Sequence, residues 1–162
     1  MSGMTDPVAG AIVYLDANVL IFGLEGDASI SAPVKDLLDA LRNCPGAGVT
    51  SEMTLAEVLV GPETKRNPPL RRIYLDLLVW SRFIDLWPIS RDILIESARL
   101  RAHHEGAHKK KLRLPDAIHL VTAVRSGCRY FLSADEGIIP PTQIIAVKPN
   151  ARGVSDILRA FA

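Results

Sequence analysis

Five short apolar runs recur along the chain, and most of them end at a polar or acidic residue that opens a stretch of helical periodicity. The first sets the pattern. Ile12, Val13, Tyr14 and Leu15 are β-branched, aromatic or apolar, too few for a helix and of the length of a strand buried on both faces. The run stops at Asp16, after which Val19, Leu20 and Ile21 resume the apolar pattern as a short helix. Val49 and Thr50, Ile84 to Trp87, Cys128 to Leu132 and Ile144 to Val147 read as further strands. Strands that alternate with helices favour a mostly parallel sheet with right-handed crossovers. The expectation is an α/β, three-layer fold with helices flanking the central sheet. In such a sheet the C-terminal strand ends share one edge, and open α/β folds place their ligands there.

The intervening segments carry helix signals. Ser31 to Asn43 begins at a serine cap, has Pro33 near its start and repeats apolar residues at Val34, Leu37, Leu38 and Leu41. Ser51 is placed to cap a helix running through Met53, Leu55, Val58 and Leu59 to a stop at Gly61 and Pro62. Asn67 to Phe83 reads as one longer helix with Ile73, Tyr74, Leu77, Leu78 and Trp80 on a broad apolar face. Ser90 opens the next helix, through Ile93, Leu94 and Ala98. Pro115 suits the first position of another, with Ala117, Leu120, Val121 and Val124 on one face and Gly127 at its stop. Val154, Ile157, Leu158 and Phe161 line a closing helix that covers the sheet.

Length and charge set the bounds. At 162 residues the chain is expected to be a single domain, 1–162, with residues 1–10 a flexible N-terminal segment. It is long enough to bury roughly two-thirds of the surface of its unfolded form, so neither a disulfide nor a structural metal is required. Cys44 and Cys128 lack metal-ligand spacing and read as buried thiols. No signal-like apolar segment and no run of membrane-span length occurs, which gives the expectation of a cytoplasmic protein with no membrane partner. The 19 Lys and Arg balance 18 Asp and Glu, so attraction for a polyanion must come from a local patch.

Arg99 to Arg113 supplies such a patch, with Arg99, Arg101, Lys109, Lys110, Lys111 and Arg113 against one acid, Glu105. It reads either as a solvated helix end broken at Gly106 or as a phosphate-binding segment. Within it His104, Glu105 and His108 spell the zinc-hydrolase pattern of two histidines around a glutamate. The internal glycine, the three lysines immediately after it and the want of a third ligand weigh against zinc.

Four acids punctuate this scheme. Asp16 ends the first strand, Glu57 lies beside the apolar face of the helix after the second, Asp116 stands in the first turn after Pro115, and Asp135 follows a later strand. Taken singly, each has a structural account as a cap, a helix-dipole partner or a surface residue. The parallel sheet would bring them to one edge, where converging carboxylates without a counter-charge repel and a divalent cation resolves the repulsion. An oxygen-only ligand set suits Mg²⁺ or Mn²⁺, which can activate a water and stabilise charge on a phosphodiester. Lys109, Lys110, Lys111 and Arg113, next to Asp116, would hold the flanking phosphates.

Asp16 in LDANVLI, Glu57 in SEMTLAEVLVG, Asp116 in LPDAIHLVTA and Asp135 in FLSADEG resemble, in order and spacing, the four acidic signatures of PIN-domain ribonucleases. The likeness is nearest to the VapC-type toxins of toxin–antitoxin pairs and runs from about Ile12 to Val147. It implies a PIN-like fold and an endoribonuclease whose four acids, Asp16, Glu57, Asp116 and Asp135, bind Mg²⁺ or Mn²⁺ for cleavage of RNA by a metal-activated water. Asp16, Asp116 and Asp135 would be the metal ligands. Asn18 and Ser133 stand where the family supports the metal by hydrogen bonding. Similar proteins are usually homodimers held inactive by a cognate antitoxin whose tail covers the acidic groove. Two departures bear on Asp135: Ala134 precedes it where a polar or basic residue is common, and Glu136 adds a neighbouring acid. Two other readings compete: a non-catalytic PIN-like module that binds RNA or protein, and a receiver-type phosphoacceptor domain. Lys148 and Pro149 favour the latter, but no acidic pair closes the first strand.

Overall fold

The computed structural model describes residues 13–107 and 111–161. Strands β1 (Val13–Leu15), β2 (Gly48–Ser51), β3 (Ile84–Trp87), β4 (Tyr130–Leu132) and β5 (Ile145–Val147) form one sheet in the order β3-β2-β1-β4-β5. Every pairing is parallel. The α-helices are α1 (Ala17–Glu25), α2 (Ala28–Arg42), α3 (Met53–Thr64), α4 (Pro68–Leu75), α5 (Arg91–Ala107), α6 (Leu114–Arg125) and α7 (Ala151–Arg159). The mostly parallel, helix-flanked α/β architecture expected from the sequence is therefore present. A receiver-type domain orders its strands 2-1-3-4-5, so this sheet excludes that reading. Residues 1–10, expected to be flexible, lie outside the described residues, as does Ile12.

Alternation along β1 divides the core into two layers. Val13 and Leu15 pack with Val34, Leu37 and Leu41 of α2 and Ile157 of α7. Tyr14 points the other way, to Ala117 and Leu120 of α6 and to Phe131 of β4, on which its ring stacks at 5.2 Å. All three β1 residues are completely buried, as a central parallel strand requires.

Several helix boundaries differ from those expected. α2 starts at Ala28 because the Asp27 carboxylate accepts from the amides of Ser29 and Ile30 and so caps the helix ahead of Ser31, which lies buried inside it. α3 continues through Gly61 and Pro62 to Thr64. Proline forfeits its own amide bond and crowds the carbonyl four residues back, but the amide of Lys65 still reaches the Gly61 carbonyl at 2.9 Å, and the Pro62 ring is buried. The helix expected over Asn67–Phe83 turns π-helical at Asp76–Trp80, where the Ser81 amide bonds back to Asp76. The extra residue in that turn rotates later side chains out of the α-helical register. Trp80 and Ile73, expected to be core, are about half exposed, whereas Leu77 and Leu78 are buried. Of the two cysteines, Cys128 is buried and Cys44 only partly so.

The sheet edge that carries the acids is pinned by hydroxyls. Thr50 Oγ1 of β2 donates to the Leu15 carbonyl at 2.7 Å and lies 2.7 Å from Thr54 Oγ1. A hydroxyl has one proton, so the Thr54 hydroxyl donates to Thr50, and both residues are fully buried. Thr50→Val strands the Thr54 hydroxyl and the Leu15 carbonyl away from water. It should lower stability by about 1–3 kcal/mol in urea unfolding at unchanged m-value. An unchanged midpoint would mean that these groups find other partners.

Candidate active site

Asp16 stands where β1 ends and α1 begins, 4% exposed. Its carboxylate is surrounded by donors from two strand ends. Oδ1 accepts from the Ala17 amide at 2.7 Å, and Oδ2 accepts from Ser133 Oγ at 2.6 Å and Asn18 Nδ2 at 3.0 Å. Asn18 Nδ2 also donates to Ser133 Oγ at 3.1 Å, and Asn18 Oδ1 accepts the Ala134 amide at 3.0 Å. Asp16 is thus both the helix cap and the hub of a polar network that joins β1 to the turn after β4. These strands are hydrogen-bonded neighbours on opposite sides of the chain's reversal of strand order, the switch point of the sheet. Burial raises the Asp16 carboxyl above its ordinary range; His119 and the hydrogen bonds from Ser133 and Ala17 oppose that, and Glu57 adds to it.

Glu57 reaches the same edge from α3. Its Oε2 lies 2.6 Å from Nε2 of His119, which is completely buried on α6. The same nitrogen is 3.6 Å from Asp16 Oδ1. Among the described residues, the group of acidic, histidine or cysteine atoms close enough to hold one ion is Asp16, Glu57 and His119, with ligand atoms within 4.8 Å of one another. His119 was not among the residues singled out from the sequence. Its signal was the three-residue spacing after Asp116, which puts both on one face of α6. Asp116 to Ala123 is buried without a break, so a histidine in that run needs partners in the interior. Val124, expected on the apolar face, is 41% exposed.

Asp116 and Asp135 form the outer half of the edge and have a counter-charge of their own. Arg113 donates to Asp116 through Nε at 2.9 Å and a terminal nitrogen at 3.3 Å, and that terminal nitrogen is 3.8 Å from Asp135. The Arg113 side chain, expected to be a phosphate ligand, here bridges the two acids. A cleft of about 270 Å³ runs beside them, lined by Lys111, Leu112, Arg113, Asp116, Asp135 and Gly137. The Asp135 amide is fixed by Ser133 Oγ at 3.0 Å, and its carboxylate accepts the Gly137 amide at 2.8 Å. Glu136 turns away to pair with Lys148. Lys109, Lys110 and His108, and with His108 the full zinc-like pattern, lie outside the described residues.

The PIN domain family model matches residues 13–139. The chain belongs to the PIN domain family. Among solved structures, a toxin–antitoxin complex from Klebsiella pneumoniae aligns with TM-score 0.60 and 25% identity, over 85% of this chain and 97% of the other. FitAcB from Neisseria gonorrhoeae aligns with TM-score 0.65 and 19% identity over 85% and 98%. The sarcin–ricin loop-cleaving toxin VapC20 of Mycobacterium tuberculosis aligns with TM-score 0.62 and 14% identity over 80% and 99%. At these last two identities the likeness is one of fold. No curated protein matches this chain.

The raised Asp16 carboxyl gives a sign for stability in the metal-free PIN domain. A folded-state pKa above the unfolded one favours the fold most fully below the unfolded pKa, and that contribution is lost as pH rises through the folded pKa. Asp16→Asn carries no such charge. It should melt above wild type at neutral pH, each kcal/mol regained being worth about 2–4 °C in a chain of this size. The gap should close as pH falls through the carboxylate range. Parallel melting curves over that range would show that the donors fully offset the burial.

Proposed function

We infer that this PIN domain is a divalent-metal-dependent endoribonuclease and the toxin of a toxin–antitoxin pair. The observation that carries the reading is the PIN match over residues 13–139 together with Asp16, Glu57, Asp116 and Asp135 standing along one edge of the parallel sheet. The names of the solved neighbours, a toxin–antitoxin complex and an RNA-loop-cleaving toxin, support the reaction class.

The donor set fits a hard divalent cation: Asp16 and Glu57 approach each other around one point, and Asp116 and Asp135 present further carboxylate oxygens beside it. When bound, Mg²⁺ or Mn²⁺ supplies a Lewis acid for the phosphate and lowers the pKa of a coordinated water. The chain does the rest. Ser133, Asn18 and the Ala17 amide hold the Asp16 carboxylate in one orientation, so little reorganisation is left for the reaction. Arg113, which bridges Asp116 and Asp135, and Lys111 line the cleft beside the acids and would hold the phosphates flanking the cut. Lys109 and Lys110, which precede Lys111 in the sequence, would add positive charge for the same phosphates. An antitoxin that covers the acidic edge and a homodimeric assembly complete the reading.

Partner-free protein should cut structured RNAs at few sites with Mg²⁺ or Mn²⁺ and not with EDTA. Asp16→Asn and Asp116→Asn should each reduce cutting to background while remaining folded by circular dichroism. A folded, metal-loaded, partner-free protein that cuts nothing would instead be an RNA- or protein-binding PIN module. For binding of a non-cleavable single-stranded RNA, replacing Lys109, Lys110 and Lys111 together should weaken affinity. It should also flatten the log–log salt dependence by about 0.7 for each phosphate that is no longer neutralised. An unchanged slope would remove that segment from RNA binding.

A further inference from the structure

Glu57 differs from Asp16 in how it is held. Asp16 is short, buried and fixed by three donors, whereas Glu57 sits at the end of a longer side chain that is about one-third exposed. Among the described residues its hydrogen-bond partner is His119 Nε2, at 2.6 Å. We propose that His119 is the positioning residue of Glu57, and that Tyr14 fixes His119 in the Nε2–H tautomer which lets it donate to that carboxylate. The proposal rests on the nuclease reading only for its kinetic consequence.

Donor and acceptor counting leads to the tautomer. A contact of 2.6 Å between a ring nitrogen and a carboxylate oxygen has a proton in it, and in the proposed tautomer that proton is on Nε2, which donates to Glu57. The other ring nitrogen, Nδ1, lies 2.7 Å from the Tyr14 hydroxyl. In the Nε2–H tautomer Nδ1 is an acceptor, and a phenol can donate there. The Tyr14 ring is completely buried, which holds its hydroxyl in place beside Nδ1. Tyr14 has little freedom to withdraw it. Its ring meets the imidazole edge-on at 5.8 Å and 68° and stacks on Phe131 of the neighbouring strand.

The same geometry could suggest that His119 is itself an ion ligand, since its Nε2 belongs to the close group with Asp16 and Glu57. The proton assignment separates the two roles: a ligating nitrogen must offer a lone pair, and Nε2 gives its direction to N–H···O instead. The arrangement also explains why the histidine sits on α6. Asp116 and His119 are one turn apart on a single buried helix, so one rigid element sets both an outer acid and the clamp on an inner one. Tyr14 and Asp16, two residues apart along the chain, meet that clamp from the β1 side.

The first test uses the metal-free wild-type protein with ¹⁵N-labelled histidine. Long-range ¹H–¹⁵N spectra should show His119 protonated at Nε2 and bare at Nδ1, and Tyr14→Phe should convert this to a mixture. A bare Nε2 in wild type, or an unaltered pattern in Tyr14→Phe, overturns the proposal. In the Mn²⁺-loaded protein, strong hyperfine coupling to the His119 ring nitrogen would make it a ligand and likewise overturn it. On a cleavable RNA, His119→Leu should lower kcat by about 10- to 100-fold with KM within about twofold. His119→Gln, which keeps a donor near the Nε2 position, should recover most of that loss at equal melting temperature. Equal kcat in the two folded variants would reduce His119 to a packing residue. If wild type cuts no RNA, the nuclease reading fails, while the tautomer spectrum still decides the role of His119.

Discussion

A carboxylate withdrawn from water must be met by donors, and in this fold that requirement falls on Asp16. Its oxygens are satisfied by the first amide of α1, by Asn18 one step further along, and by Ser133 at the end of β4. The last of these is available only if β4 lies directly beside β1 with its C-terminal end at the same edge, as the parallel 3-2-1-4-5 order arranges. Ser133 in turn orients the Asp135 amide, and Asn18 holds the Ala134 amide, so the turn that presents Asp135 is built on the same group that buries Asp16. The edge is therefore one connected piece of polar structure over an apolar sheet. A substitution at Asp16, Asn18 or Ser133 reaches all of it.

Charge is unevenly distributed along that edge. The inner half, Asp16 and Glu57, is served by the neutral donors of the fold and by the His119 ring. The outer half, Asp116 and Asp135, is bridged by the cationic fork of Arg113. In the sequence the four carboxylates stand without a visible counter-charge, and their repulsion alone implies a cation. Arg113 partly supplies that charge from the chain, so repulsion is weaker support for a metal in the folded protein. The closeness of Asp16 and Glu57 is the stronger support.

Much of the architecture was legible because it is written locally. Runs such as Val13–Leu15 and Tyr130–Leu132 have the composition of buried strands, and their alternation with amphipathic helices left a parallel sheet as the simple solution. Features that escaped reading depend on distant partners. Pro62 looked like a stop, but its ring is buried and the next amides reach past it. The π turn at Asp76–Trp80 leaves an apolar pattern that also fits an ordinary helix, so the exposure of Trp80 could not be read from spacing. At the candidate site, the acids and their supports Asn18 and Ser133 announced themselves through strand ends and motif likeness. His119 did not, because its partners, Tyr14 and Glu57, are 105 and 62 residues away. Arg113 was visible as a basic residue, yet its pairing with Asp116 and Asp135 emerges only in three dimensions.

The span of the polar network has a consequence for synthesis. Asp16 and Ser133 are 117 residues apart, and β1 finds its β4 neighbour only after that whole interval has been made. At about 5–20 residues per second, translation of that interval takes on the order of ten seconds. Throughout it, β1 can pair with β2 on one side alone, and the Asp16 carboxylate has no Ser133 to meet it. The acidic edge is completed only once β4 has been made, so a ribosome-bound nascent chain remains without its assembled site until β4 has emerged.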